Sequence, residues 1–138
     1  MGHIMRKLPI RGDKDTKELN VLFDSGASRS VIGQETAENI CHITPLVEPI
    51  ALTLANGEKI SVTGGCFFST TLKDNATKQK CPLTGSALVS PEFQGTNGEE
   101  MIIGIPELQS HQIELKFSQK KGQDKIDLSR CRRRIDRI

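Results

Sequence analysis

Val21-Leu22-Phe23-Asp24-Ser25-Gly26-Ala27-Ser28 is the stretch around which the chain is organised. Three apolar residues run into an acid, a hydroxyl residue, a glycine and an alanine. Physically, a buried strand ends there by delivering one carboxylate into a tight turn. The Ser25 hydroxyl can fix such a turn, and Gly26 lets another piece of backbone approach closely. Asp-Ser-Gly is also ordinary turn chemistry, so the surrounding chain decides what the stretch means.

Upstream, Met5–Ile10 reads as a short strand, and Arg11-Gly12-Asp13-Lys14-Asp15 as a polar turn. Lys17–Phe23 returns as the strand that carries Asp24. The Arg-Gly-Asp triplet is read as a hairpin turn, because no secretory signal accompanies it. Downstream, Ser30–Gly33 is a brief apolar segment and Gln34–Ile40 has the composition of a short helix. Pro45 and Pro49 bracket an extended linker. Ile50, Leu52 and Leu54 alternate with smaller or polar residues, as do Ile60 and Val62. Asn56-Gly57 lies between them, the strongest short-range hairpin signal a sequence offers. Gly64-Gly65 is expected to end this hairpin, with further strands at Cys66–Leu72 and Cys81–Val89. After a loop at Ser90–Glu100, Met101–Gly104 is a short buried strand, and Pro106 and Glu107 suit the first turn of a helix. Gln112–Phe117 alternates as a half-buried strand.

A chain of 138 residues supports one domain with a real core. Aromatics make up 4 %, so that core must be built from Ile, Leu, Val and five Phe. Twelve glycines and six prolines favour short strands and turns over a helical bundle. No apolar run approaches the roughly 18–20 residues that span a bilayer, and no signal peptide is visible, so no membrane partner is expected. Residues 1–5 (MGHIM) resemble a cloning scar and are set aside; residues 6–117 form the expected domain and 118–138 a tail or linker.

Cys41, Cys66, Cys81 and Cys131 form no CxxC pair and no zinc-site spacing, so buried free thiols in a reducing compartment are expected. Net charge is +2, unevenly placed. Residues 118–138 hold eight Lys/Arg against three Asp, leaving a mildly acidic body and a basic tail. The tail, with Arg130-Cys131-Arg132-Arg133-Arg134, has too little apolar content to pack alone and is expected to be mobile, or helical only on contact. A solvated linker is favoured over nucleic-acid binding, since no aromatic interleaves with the arginines.

The order strand, Asp-Ser-Gly-Ala turn, short helix, Asn-Gly hairpin, strands, Ile-Ile-Gly, short helix, strand resembles the retropepsin-like aspartic proteases over about residues 6–117. Asp24-Ser25-Gly26-Ala27, the hairpin Leu52–Val62 and Ile102-Ile103-Gly104 carry the resemblance. Leu54-Ala55-Asn56-Gly57-Glu58 is similar to the hairpin of retrotransposon-type members. The resemblance implies an all-β fold: a small closed, orthogonal β-barrel with one or two short helices, active as a homodimer. It implies Asp24, Ser25 and Gly26 as catalytic residues. Substrate would be bound by Ala27, Ser28, Leu54, Ala55, Asn56, Gly57 and Ile103, beneath a hairpin acting as a flap. Many retroviral members have a paired acid and arginine where this chain has Ser28 and Ile105. Both partners are missing together, so no unpaired buried charge is left.

Peptide hydrolysis by carboxylates requires two that share one proton. The chain supplies one Asp-Ser-Gly; Leu83-Thr84-Gly85 mimics the turn with Leu83 in place of the acid. The second carboxylate must therefore come from another copy, which predicts a C2 homodimer; the resemblance implies that its Ser25 hydroxyls brace the two turns across the axis and that Gln112–Phe117 joins an intersubunit sheet. The expected activity is endopeptidase cleavage of an extended polypeptide, a retrotransposon or retrovirus-like polyprotein. The expected location is the cytoplasm or virus-like particles, and no metal or organic cofactor is expected. The alternative is a protease-like dimeric binding or assembly module without appreciable turnover. A cellular relative of the ubiquitin-receptor-linked retropepsins stands between the two. A serine hydrolase is disfavoured: Gly26-Ala27-Ser28-Arg29-Ser30 lacks the closing glycine of G-x-S-x-G.

Overall fold

The computed structural model describes residues 3–54, 56–74, 77–120 and 122–131. Its strands are β1 (His3–Arg11), β2 (Thr16–Asp24), β3 (Val31–Gly33), β4 (Thr44–Thr53), β5 (Lys59–Lys73), β6 (Lys80–Ser90), β7 (Met101–Ile103), β8 (Glu114–Lys116) and β9 (Lys125–Asp127). Two short helices, α1 (Gln34–Ile40) and α2 (Ile105–Ser110), complete it. The helix expected at Gln34–Ile40 is present over those residues, with Ala37 and Ile40 buried. Pro106 occupies the first turn of α2 as expected.

Six strands close into a mixed barrel in the order β1-β2-β7-β3-β6-β5, and Arg11 of β1 meets Ser69 of β5 to complete the ring. β2 and β7 run parallel, as do β3 and β6; the other pairings are antiparallel. β4 pairs with β5 and makes the hairpin outside the ring.

Strand alternation sorts the side chains into two clusters. Val21 and Phe23 of β2, Ile32 of β3 and Met101 and Ile103 of β7 enter the main core with Ile10, Leu19, Leu83 and Val89. Leu22, Val31 and Ile102 point from the opposite face of the same strands and pack with Ile60 and Phe93. A fully buried aliphatic or aromatic side chain contributes roughly 1.5–3 kcal/mol. The main cluster has twenty buried residues and the other five, so stability resides chiefly in the first.

Several expectations are corrected. Gly64-Gly65 does not end a strand: β5 continues through both, with Ile60, Val62, Gly64, Cys66, Phe68, Thr70 and Leu72 buried in strict alternation. Glycine is needed at position 64 for proximity, because a Cβ there would lie 2.6 Å from Ile43 Cγ2 and 2.9 Å from the Thr44 carbonyl oxygen. The Pro45–Pro49 linker lies within β4, where the register shifts between Pro45 and Ile50. Residues 3–5 are not outside the fold; they begin β1, and Ile4 is buried opposite Phe23.

The basic segment is also folded as far as Cys131. β8 pairs with β9 of the same chain, Leu128 is buried, and Leu115 and Ile126 pack against the main core. Cys81 and Cys131 form a disulfide across a sequence separation of 50, which corrects the expectation of four free thiols. Cys41 and Cys66 are free and buried. Arg132–Arg134 lie outside the described residues. Among the described residues no helix is long and apolar enough to cross a membrane.

Candidate active site

Asp24 is the last residue of β2, two positions beyond Leu22 and on the same strand face. Register extends that face sideways: Leu22 lies opposite Ile102, and Ile102 opposite Val31. The three side chains form an apolar floor, and Asp24 stands at its end, 8 % exposed.

The turn after β2 is held from within and from behind. Asp24 Oδ1 accepts the Gly26 N–H at 2.8 Å, and the Asp24 carbonyl accepts the Ala27 N–H at 3.2 Å. The Ala27 carbonyl accepts the Ile105 N–H at 2.8 Å, which ties the turn to the start of α2. A Cβ on Gly104 would lie 2.6 Å from the Ala27 oxygen and 2.8 Å from the Arg29 oxygen, so this junction requires glycine. Buried Ser30 accepts the Gly104 N–H at 3.0 Å and donates its hydroxyl hydrogen to Glu107 Oε1. Glu107 is itself buried, over a glycine: a Cβ at Gly85 would come within 2.8 Å of its Oε2.

The β4–β5 hairpin covers the floor. Leu54 N–H donates to the Glu58 carbonyl at 2.8 Å, and Gly57 N–H to the Leu54 carbonyl at 2.9 Å. Gly57 adopts φ +86°, which a side chain would strain, and Asn56 Oδ1 accepts the Glu58 N–H at 2.9 Å. Leu52 and Leu54 pack onto the Leu22–Ile102–Val31 cluster from above.

Two cavities meet at Asp24. The smaller, of about 100 Å³, is lined by Gly26, Ala27, Ser28 and Arg29 below and Leu52 and Leu54 above. The larger, of about 260 Å³, extends under Leu54 and Asn56 to Phe93 and the loop through Glu99. Both are bounded by Ile102. A wider groove of about 740 Å³ lies elsewhere, along Arg11, Asp13, His42 and Phe67. There the His42 backbone N–H, followed by its ring, holds the Asp13 carboxyl below the usual carboxylate range. That groove is the roomier of the two regions and is also lined by a buried carboxylate, Glu107. Glu107 is engaged by the Ser30 hydroxyl, whereas Asp24 stands on the glycine turn where two cavities meet beneath the hairpin.

The structure brings together Asp24, Gly26, Ala27, Ser28, Leu54 and Asn56 from the sequence-derived set. Ser25 is exposed on the turn, and Gly57 shapes the hairpin end without lining either cavity. Ala55 lies outside the described residues. Ile103 is fully buried in the main core, and its neighbour Ile102 lines both cavities instead. Sequence reading missed Ser30, Glu107 and Phe93. A Ser six positions after Asp24 carries no local signal of a partner on a helix 77 residues away.

No protein-family model and no curated protein matches the chain. Among solved structures it matches, distantly, the retroviral protease-like domain of Ddi1 from Leishmania major, at TM-score 0.49 and 18 % identity. The match covers 91 % of this chain and 86 % of that one.

Proposed function

We propose that the protein is an aspartic endopeptidase that works as a C2 homodimer, with Asp24 from each copy forming the reacting pair. The observation that carries this reading is the position of Asp24: a buried carboxylate on a braced glycine turn, where two cavities meet beneath a hairpin. Two such carboxylates about 3 Å apart cannot both ionise, so one proton is shared. The ionised partner takes a proton from water as the water attacks the peptide carbonyl carbon. The protonated partner donates to the carbonyl oxygen, and proton return to the amine nitrogen accompanies C–N cleavage.

Ser25 braces the turns across the axis, and Gly26 keeps the turn backbone open to its neighbour. An extended substrate lies between the turn and the hairpin, with backbone hydrogen bonds supplying affinity and the cavities selectivity. Ala27, Ser28, Leu54, Asn56 and Gly57 contact it in this reading, with Ile102 taking the place expected for Ile103. The substrate class is a polyprotein of a retrotransposon or retrovirus-like element, as the motif resemblance implies. In this reading the protein acts in the cytoplasm or within virus-like particles.

The test compares wild type with Asp24→Asn on a peptide library, at mildly acidic pH and over a range of protein concentrations. Cleavage that disappears in the variant and whose specific activity rises with concentration supports a dimeric aspartic peptidase. A folded, dimeric wild type that cuts nothing favours the binding or assembly module.

A further inference from the structure

Resting on the peptidase reading above, we propose that Arg29 makes the smaller cavity selective for a short acidic side chain, while the larger cavity receives a bulky apolar one. The two cavities share Asp24, Leu54 and Ile102, so a single extended peptide reaching the carboxylate passes both. Their sizes differ in a way that sorts side chains. An apolar cavity of about 150 Å³ accommodates benzene. At about 100 Å³ the smaller cavity is too small for an aromatic ring, whereas at about 260 Å³ the larger admits one.

Charge sets them apart as well. The smaller cavity has apolar walls from Ala27, Val31, Leu52, Leu54 and Ile102 and hydroxyls from Ser28 and Thr53, and its charged residues are Asp24 and Arg29. Arg29 is exposed and takes part in no ion pair among the described residues. Its backbone is fixed, because its carbonyl oxygen rests against Gly104 and the preceding turn is tied to Ile105. A guanidinium held at that point offers paired N–H donors to a carboxylate. It also offsets the repulsion that Asp24 would exert on an acidic substrate. The larger cavity is lined by no Arg or Lys, and its one basic side chain is His3, opposite Asp24 in the β1–β2 register. Its acid, Glu99, is buried, with Oε1 accepting the Asn97 N–H at 2.7 Å. Asp or Glu is therefore drawn to one cavity and not to the other.

The experiment uses the full chain and a peptide library read out by mass spectrometry, with wild type, Arg29→Gln and Arg29→Glu at low and high salt. An exposed ion pair is worth a preference of up to about fivefold, and salt screens it. Wild type should enrich Asp or Glu by about that factor at one position within two residues of the cut, less so at high salt. Arg29→Gln should erase the enrichment, and Arg29→Glu should turn it toward Lys or Arg, with the bulky apolar preference at the neighbouring position intact. Cleavage by all three proteins with one common profile overturns the role of Arg29 while leaving the peptidase reading standing. A library left uncut by dimeric wild type overturns both.

Discussion

The Ser30 hydroxyl links two buried groups behind the Asp24 turn, accepting the Gly104 N–H at 3.0 Å and donating to the Glu107 carboxylate. Removal of the hydroxyl leaves a buried N–H and a buried carboxylate oxygen without this partner. An unsatisfied buried group costs about 1–3 kcal/mol, so Ser30→Ala should lower unfolding free energy by at least that amount in urea titration. Ser30→Thr keeps the hydroxyl and Glu107→Gln keeps the acceptor, so each should lose less. A Ser30→Ala protein as stable as wild type would remove the network from the account of how Asp24 is held.

The two free thiols lead to a prediction about alkaline stability. Burial, the largest influence, pushes the Cys66 thiol up to about 12 from an ordinary 9.0, and burial likewise raises Cys41. In the unfolded chain these thiols ionise first as pH rises, so the unfolded state binds fewer protons than the folded one. The contribution to stability is therefore complete below about pH 9 and is lost as pH rises through about 12. No tyrosine titrates in this window. Urea unfolding of wild type against Cys66→Ala isolates the thiol from the lysines: the wild type should show the steeper fall between pH 9 and 11. Iodoacetamide at pH 8 should leave both thiols unlabelled in the folded protein.

Local patterns were legible and distant pairings were not. The Asp24 turn, α1, the Asn56-Gly57 hairpin end and the strand at Met101–Ile103 all follow from neighbouring residues. Gly64 was misread because a glycine required for close approach to Ile43 and Thr44 has the same letter as one required for a turn. The segment after Ser118 was misread because its few apolar residues pack only on a surface made by the rest of the chain: Ile126 and Leu128 join the main core, and Gln79 donates to the Leu128 carbonyl at 2.7 Å. Motif resemblance names Ile103, but it does not say which face of β7 turns toward Asp24; the register with Leu22 and Val31 puts Ile102 there and Ile103 in the main core.

That folded segment depends on the Cys81–Cys131 disulfide, whose loop of about 50 residues restricts the unfolded chain. The chain-entropy model gives about 4 kcal/mol for a loop of this length. Cys131→Ser should lower stability by up to that amount. It should also open the β8–β9 hairpin to proteolysis near residues 117–124, with fragments identified by mass spectrometry. The hairpin's own ion pair is a weaker tie. Lys116 lies 2.8 Å from Asp127, and its hydrogen bond holds that carboxyl well below the usual range, but the lysine side chain is largely exposed. Unchanged protease resistance in Cys131→Ser would show that apolar docking of Leu128 suffices.

Ile102 and Ile103 test the register argument directly, because adjacent residues of β7 face opposite sides of the sheet. An Ile→Val change removes one methylene and costs about 0.5–1.5 kcal/mol when buried. Both Ile102→Val and Ile103→Val should therefore lose stability within that range and remain folded. Their effects on cleavage should part. Ile102 bounds both cavities, so Ile102→Val enlarges them and should shift the cleavage profile toward bulkier side chains next to the cut. Ile103 is enclosed in the main core, so Ile103→Val should leave the profile as in wild type. A profile moved by Ile103→Val and not by Ile102→Val would reverse the assignment of the β7 faces and, with it, the floor on which Asp24 is placed.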